Sequence, residues 1–166
     1  MKRNLETYQT VSILGSFNKH YEFIKEDINN FTTKGFDVLA PAVSNIKSNN
    51  NGYVLFESDK SDNPVQIEQS FLDLCKRSDV IYICNVGGYL GKTVMFELGY
   101  LLGIGKEIFF KEYPSDEPLL QSLLKQNSDV IVTSKELSEM MLSHNEVFKM
   151  REWPDQYLPR GKMLSL

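Results

Sequence analysis

The fold is decided by residues 80–106, VIYICNVGGYLGKTVMFELGYLLGIGK. This stretch predicts a buried strand over residues 80–84, a glycine-rich turn over residues 85–92 and an apolar helix over residues 93–102. The first N–H groups of a helix have no partner within it, so a strand that runs through such a turn into a helix forms a pocket for a polar or anionic ligand. Glu97 is the one residue inside the predicted helix that is charged at neutral pH. It is therefore our candidate catalytic group.

Strands alternate with helices along the rest of the chain. The residue patterns predict further strands over residues 9–14, 36–39, 107–111 and 129–133, and helices over 19–33, 64–75, 118–126 and 134–143. Residues 44–52 are polar and predict a loop, and residues 53–57 predict a short extended piece. Because the core strands are continuous apolar runs, we predict an α/β fold with a parallel sheet covered on both faces. The specific expectation is a flavodoxin-like, doubly wound sheet of five strands in a three-layer α/β/α arrangement.

Length and composition narrow the class of protein. A chain of 166 residues with 42% hydrophobic and 24% charged residues fits one ordinary globular domain. We assign residues 1–145 to that domain and residues 146–166, with Trp153 and Tyr157, to a tail that is a candidate oligomer interface. The net charge of -4 argues against nucleic acid as the main partner. No membrane span or signal peptide is visible, so we expect a cytoplasmic protein.

Metal and disulfide chemistry are not expected. The chain has two cysteines, Cys75 and Cys84, and both fall in patterns typical of the core. A second excluded class is the P-loop nucleotide triphosphatase. Gly91, Lys92 and Thr93 match the end of that motif, but Val86 occupies the position that requires its first glycine.

Two predicted loops meet at the carboxyl edge of such a sheet, where ligands bind. The first, GSFNKH at residues 15–20, offers a hydroxyl, an amide and a cation at a helix start. Ser16 and Asn18 can hold a phosphate or sugar hydroxyls, or they can cap the helix, and both interpretations stay open. The second loop carries Tyr89, which can stack on a base.

Glu97 has two interpretations as well. A glutamate usually lies on the solvated stripe of a helix. The residues around Glu97 are apolar on nearly every helical face, however, and a buried carboxylate is costly unless it has partners or a function. We favour the functional interpretation. Gly99 and Gly103 are expected to serve close packing of the same helix.

Four segments together resemble one family. These are Gly15-Ser16 after the first strand, DVLAP at residues 37–41, Ser78-Asp79-Val80, and GYLGKTVMFELGYLLGIGKEI at residues 88–108. In this order they are similar to the nucleoside 2-deoxyribosyltransferase superfamily, across residues 11–111. The most specific part is GYLG at residues 88–91 followed by FELGY at residues 96–100. It resembles a less studied branch of the superfamily.

The resemblance implies a flavodoxin-like fold and a (deoxy)nucleoside or nucleoside 5′-monophosphate as the substrate. Glu97 matches the glutamate that attacks the anomeric carbon, which gives a covalent glycosyl–enzyme intermediate that another base or water resolves. No metal or organic cofactor is implied, and the family assembles as homodimers or larger homo-oligomers. The substrate-binding residues would be Gly15, Ser16, Asn18, Lys19, Asn85, Gly88, Tyr89 and Gly91.

The chain departs from the family pattern at two positions. The aspartate about six residues before the nucleophile is replaced by Gly91, and the aspartate eight residues before Asp79 by Phe71. The second aspartate helps protonate the leaving base, so Glu68 or Asp73 would have to act as acid and base. An ionised nucleophile would also need donors near Glu97, such as Tyr89 or a loop N–H.

Two other functions remain as alternatives. A non-catalytic sensor module of the same fold would bind a nucleotide without chemistry, and the missing acid partners fit that function. A purely structural or interaction domain would bind no nucleotide.

Overall fold

The computed structural model describes residues 7–50 and 53–150, with the backbone alone for residues 50 and 147–150. Within this region the strands and helices follow one another as β1 (Thr10–Gly15), α1 (Phe17–Thr32), β2 (Asp37–Ala40), β3 (Ile46–Asn50), β4 (Tyr53–Phe56), α2 (Pro64–Arg77), β5 (Val80–Cys84), α3 (Lys92–Gly103), β6 (Ile108–Phe110), α4 (Pro118–Leu124) and α5 (Ser134–Met150). Short 3-10 helices lie at Val86–Gly88 and Ser128–Val130.

The main sheet has four parallel strands in the order β2-β1-β5-β6. This order is compatible with the predicted flavodoxin-like arrangement, but the predicted fifth strand is not confirmed. Val130 closes a turn by donating from its N–H to the carbonyl of Asn127 (3.3 Å), and α5 begins at Ser134. Between Val130 and Ser134, the described structure has a single isolated β-bridge, which joins Ile131 to Phe110 of β6.

The loop predicted over residues 44–52 was wrong for residues 46–50. They form β3, which pairs antiparallel with β4 in a separate two-stranded sheet. β3 is polar because it lies on the outside, whereas Val54, Leu55 and Phe56 of β4 supply the buried side chains. The ring of Phe56 packs edge-on against Phe17, with centroids 5.2 Å apart, and thereby fixes the hairpin against the start of α1.

Helices cover both faces of the main sheet. Ser12 of β1 lies beside Ile81 in register, and its hydroxyl is 2.5 Å from that of Ser78 at the end of α2. The next residue of β5, Tyr82, packs against Phe31 of α1. Since successive strand residues point to opposite faces, α1 and α2 lie on opposite sides of the sheet. The α/β class and a three-layer arrangement are thus compatible with the structure.

Side-chain caps lie at the starts of α2 and α5. Pro64 is the first residue of α2, as expected, and the side chain of Asn63 accepts from the N–H of Val65 (2.9 Å). At α5 the Thr133 hydroxyl accepts from the N–H of Glu136 (3.1 Å), and the Glu136 carboxylate accepts from the N–H of Thr133 (2.8 Å). Such a capping box stabilises a helix by about 1 kcal/mol.

The last described helix is longer than the sequence pattern predicts. α5 runs to Met150, so it continues past residue 143 and across the boundary drawn at residue 145. Near its end, Asn145 accepts from the N–H of Tyr8 (2.9 Å) and donates to the carbonyl of Tyr8 (2.7 Å). The predictions for Trp153 and Tyr157 concern residues outside the described region. Within the described region, no helix has both the length and the apolar character needed to cross a membrane.

Candidate active site

Glu97 lies on the buried face of α3. It is 6% exposed and shares this face with Val94, Leu98 and Leu101. The prediction that the helix is buried nearly all round was wrong, because Phe96 is 64% exposed and Tyr100 37% exposed on the other side. The helix therefore carries its one internal charge inward and aromatic side chains outward, the reverse of an ordinary amphipathic helix.

Gly99 and Gly103 do not serve close packing within this chain. A Cβ atom added at either glycine would meet no other atom within 4 Å. Both glycines are exposed on the same side as Phe96 and Tyr100. The predicted packing role is wrong for the described residues.

Glu97 is paired with Glu68 of α2. Burial raises the pKa of Glu97 well above its usual range, and the charge of Glu68 and a hydrogen bond between the two carboxyl groups raise it further. Burial also raises the pKa of Glu68, while the hydrogen bond from Glu97 lowers it. Both pKa values are raised, which favours one proton held between the two carboxyl groups. This direction does not support the expectation that nearby donors keep Glu97 ionised.

Neutral side chains line the surroundings of this pair. Tyr53 of β4 donates a long hydrogen bond to the carbonyl of Pro64 (3.4 Å), and burial raises its pKa to about 12, with Glu68, Asp59 and Glu97 adding to the shift. Burial and then the charge of Glu97 raise the pKa of the Cys75 thiol to about 12. The carboxyl pair thus lies between the hairpin, α2 and α3, in surroundings where charge is poorly solvated.

The second candidate acid, Asp73, lies elsewhere. Its carboxylate is exposed and pairs with Lys76 at 3.9 Å along the same helix. Five residues of helix rotate a side chain to a different face, so Glu68 and Asp73 cannot both point at Glu97. The structure brings Glu68 to Glu97 and leaves Asp73 in solvent.

Residues 15–19 at the end of β1 are held by contacts with α1 and with the β3–β4 hairpin. A Cβ atom at Gly15 would lie 2.9 Å from Cδ1 of Ile24, so packing against α1 favours glycine. Ser16 caps α1, because its hydroxyl accepts from the N–H of Lys19 (3.3 Å). Asn18 instead reaches the hairpin, where its side-chain oxygen accepts from Asn49 (2.8 Å).

The two loops of the carboxyl edge do meet, as predicted. The ammonium group of Lys19 lies 3.8 Å from the centre of the Tyr89 ring. His20 contacts the same ring edge-on at 5.9 Å. Such a cation–π contact contributes about 0.5–1 kcal/mol at an exposed site. Gly91 precedes α3, and a Cβ atom added there would be 3.6 Å from the Tyr89 hydroxyl.

Asn85 and Gly88 hold the second loop against the segment after β6. The buried Asn85 side chain donates to the carbonyl of Glu112 (2.7 Å) and accepts from its N–H (3.0 Å). Gly88 has a φ of +75°, and a Cβ atom there would be only 2.4 Å from the carbonyl oxygen of Tyr113. Both residues therefore hold the second loop against the segment that follows β6.

Sequence reasoning missed two groups near this edge. Glu112 accepts from the N–H of Gly87 (2.9 Å), and its charge opposes the effects of burial and of Lys19, which together lower the pKa of His20. Asp27 of α1 is fully buried and receives hydrogen bonds from Lys111 (2.8 Å) and Ser134 (2.6 Å). The sequence does carry a signal for Asp27, because it is a charged residue on the apolar face of a predicted helix. Glu97 was identified from a similar signal.

Nothing matches the chain when it is compared with protein-family models, curated proteins and solved structures. In the described part of the chain, no three His, Cys, Asp or Glu residues are grouped so that they could hold a metal ion.

Proposed function

We propose that this chain is an N-glycosidase-type enzyme that cleaves or transfers the glycosidic bond of a (deoxy)nucleoside or nucleoside 5′-monophosphate. The observation that carries the proposal is the burial of Glu97 opposite Glu68, on the helix that follows the second loop. Most glycosidases use a pair of carboxyl groups to cleave the bond at the anomeric carbon of a sugar. The family resemblance at residues 88–108 supports the same reaction.

Glu97 is the nucleophile in this proposal. One of its oxygens attacks the anomeric carbon as the base leaves, which replaces one difficult displacement with two easier steps. A second base then accepts the sugar in a transferase, or water does so in a hydrolase. Burial excludes competing water and strengthens the interaction of the carboxylate with an oxocarbenium-like transition state.

The substrate would lie across the two loops. Lys19 has an exposed ammonium group beside Tyr89, so it can neutralise a 5′-phosphate, while the ring can stack on a base. The α1 start adds N–H groups that favour an anion. Asn18 would have to exchange its contact with Asn49 for a sugar hydroxyl.

The test is a panel of nucleosides and 5′-monophosphates, incubated with and without a free acceptor base and analysed by chromatography. Release of free base identifies a hydrolase, and exchange of the base identifies a transferase. Glu97→Gln preserves shape and should lower the rate at least about 1000-fold, since it removes the nucleophile.

Asp73→Asn is the matched control, because it also neutralises one acidic residue but in solvent. It should keep the wild-type rate, and both variants should keep the far-ultraviolet circular dichroism of the parent. Full activity of the Glu97→Gln variant would exclude the proposed nucleophile.

The second candidate function is a nucleotide-binding sensor without chemistry. The raised pKa of Glu97, which burial and Glu68 cause, favours it, because a neutral carboxyl group is a poor nucleophile and a good hydrogen-bond donor. A sensor would bind a nucleotide in calorimetry and release no base from any member of the panel.

We also propose that the protein is a cytoplasmic homo-oligomer. The exposed apolar side of α3, formed by Phe96, Gly99, Tyr100, Gly103 and Ile104, supports association of copies. Light scattering coupled to size exclusion measures the state directly. A monomer at all concentrations would exclude this part of the proposal.

A further inference from the structure

We propose that Glu68 is the acid that protonates the leaving base, and that it uses the proton it shares with Glu97. This inference rests on the proposed glycosidic reaction. Transfer of this one proton has two effects. It assists departure of the base, and it leaves the Glu97 carboxylate ionised so that it can attack.

The burial of the pair favours a proton held between the two carboxyl groups. Oε1 of Glu68 is buried, and no hydroxyl, amide or cation in the described region donates to it. Glu97 faces Glu68 from the buried side of α3. Two ionised carboxylates in contact repel each other strongly when water cannot separate them. A single shared proton satisfies the otherwise unpartnered oxygen and removes the repulsion.

The groups around the pair do not supply that proton readily. Tyr53 of β4 and Cys75 of α2 face the pair, and burial raises the pKa of both to about 12. Asp59, which follows β4, acts on Tyr53, and Lys106, which follows α3, acts on Cys75. Tyrosine and thiol therefore keep their protons, and the carboxyl pair is the acidic group at this place.

In the first half-reaction an oxygen lone pair of Glu97 forms a bond to the anomeric carbon. The bond from that carbon to the base nitrogen breaks, and its electron pair stays on the nitrogen. The shared proton, now on Glu68, moves to the base, which leaves as a neutral molecule. Before the reaction the two carboxyl groups together carry one negative charge. Afterwards Glu97 is a neutral glycosyl ester and Glu68 is ionised, so the total charge is unchanged.

The second half-reaction restores the pair. Water attacks the anomeric carbon, the bond to Glu97 breaks, and Glu68 accepts the proton that water loses. The two carboxyl groups again hold one proton between them. No oxidant, metal or other co-reactant is needed.

Glu68 would thus take the role of the aspartate that the resembling family has at the position of Phe71. Phe71 and Glu68 are three residues apart on α2, which places them on neighbouring positions of the helix surface. Asp73, the other acidic residue considered for this role, is directed to Lys76 in solvent.

The experiment compares two substrates, only one of which needs a proton on its leaving base. 2′-Deoxyadenosine releases a base that must be protonated, whereas 7-methyl-2′-deoxyguanosine already carries the positive charge and releases a neutral base without a proton. Each is supplied as nucleoside and 5′-monophosphate to wild type, Glu68→Gln and Asp73→Asn, and spontaneous loss of the methylated base is subtracted. Thermal unfolding of each variant checks that it is folded.

We expect Glu68→Gln to lose about 100- to 10,000-fold in rate on 2′-deoxyadenosine, which is the usual contribution of an acid catalyst. On the methylated substrate the same variant should stay within about tenfold of wild type. Asp73→Asn should match wild type on both substrates.

Two results would overturn the inference in different ways. Equal losses on both substrates, with wild type active, would show that Glu68 supports the site without delivering a proton. Failure of wild type on both substrates would remove the proposed function itself, and the proton transfer with it.

Discussion

At the scale of single residues, two glycines of the same motif lie in opposite environments. Gly88 has a positive φ and lies against the backbone of Tyr113, while Gly99 lies within α3 with open space beside it. The same substitution should therefore have opposite effects at the two positions.

Gly88→Ala should lower the free energy of unfolding by about 2 kcal/mol or more, because it combines a left-handed backbone with a backbone clash. Gly99→Ala should raise that free energy by about 0.5–1 kcal/mol, because alanine loses less entropy in a helix. Urea unfolding of both variants, at concentrations where light scattering shows one species, measures this difference. Destabilisation by both to the same extent would contradict the environments described.

At the scale of elements, a buried ion pair joins α1 to the end of β6 and to α5. The Asp27 carboxylate is fully buried, and Lys111 and Ser134 both donate to one of its oxygens. The three elements belong to different parts of the chain. The pair therefore holds together segments that the hydrophobic pattern alone does not orient.

Lys111→Met should lower the free energy of unfolding by about 3 kcal/mol, because it leaves a buried charge without its cation. Adding Asp27→Asn should recover part of the loss, since the unpaired charge is then gone. A double-mutant cycle measured by urea unfolding separates the coupling from the two single effects. Additive losses would show that the two side chains act independently.

The elements that were predictable from the sequence are those whose buried residues recur at regular helical spacing or form one continuous apolar strand. α1, α2 and α3 have apolar residues at helical spacing, and β5 is a continuous apolar run. β3 was missed because it is a polar strand whose partner, β4, provides the buried side chains. The predicted strand over residues 129–133 is not confirmed, because residues 128–130 form a 3-10 helix and only Ile131 then bridges to Phe110 of β6.

The candidate site was predictable to the extent that it depends on single anomalous residues. Glu97 stands out as a charge among apolar neighbours, and the structure buries it. The choice of Glu68 over Asp73 was beyond the sequence, because it depends on how α2 is rotated against α3. The roles of Asn85 and Gly88 depend on a contact with residues 112–115, which no local pattern predicts.

At the scale of the whole molecule, the buried carboxyl pair makes stability depend on pH. Burial raises the pKa of Glu97 and of Glu68 above the ordinary value of 4.5. The folded state therefore keeps protons that the unfolded state loses above that value. The stability that the neutral form contributes is complete below about pH 4.5 and is lost as pH rises toward the raised pKa of the folded protein.

We expect the free energy of unfolding of wild type to fall from about pH 5 to about pH 8, by up to about 1.4 kcal/mol per pH unit for each proton. Glu97→Gln should flatten this decline, because glutamine does not titrate. Asp73→Asn, which changes an exposed carboxylate, should leave the slope as in wild type. Urea unfolding at several pH values provides the three slopes, and identical slopes would contradict the proton on the pair.

The hydrogen bonds between Tyr8 and Asn145 have a consequence for how the protein is made. They join residues that are 137 positions apart. Since ribosomes add about 5–20 residues per second, the backbone at Tyr8 waits on the order of 10 s for the side chain that closes it. Until then β1 is held by its pairing with β2 and β5 and by the helices packed against it. The contact that joins the segment before β1 to α5 is therefore among the last to form.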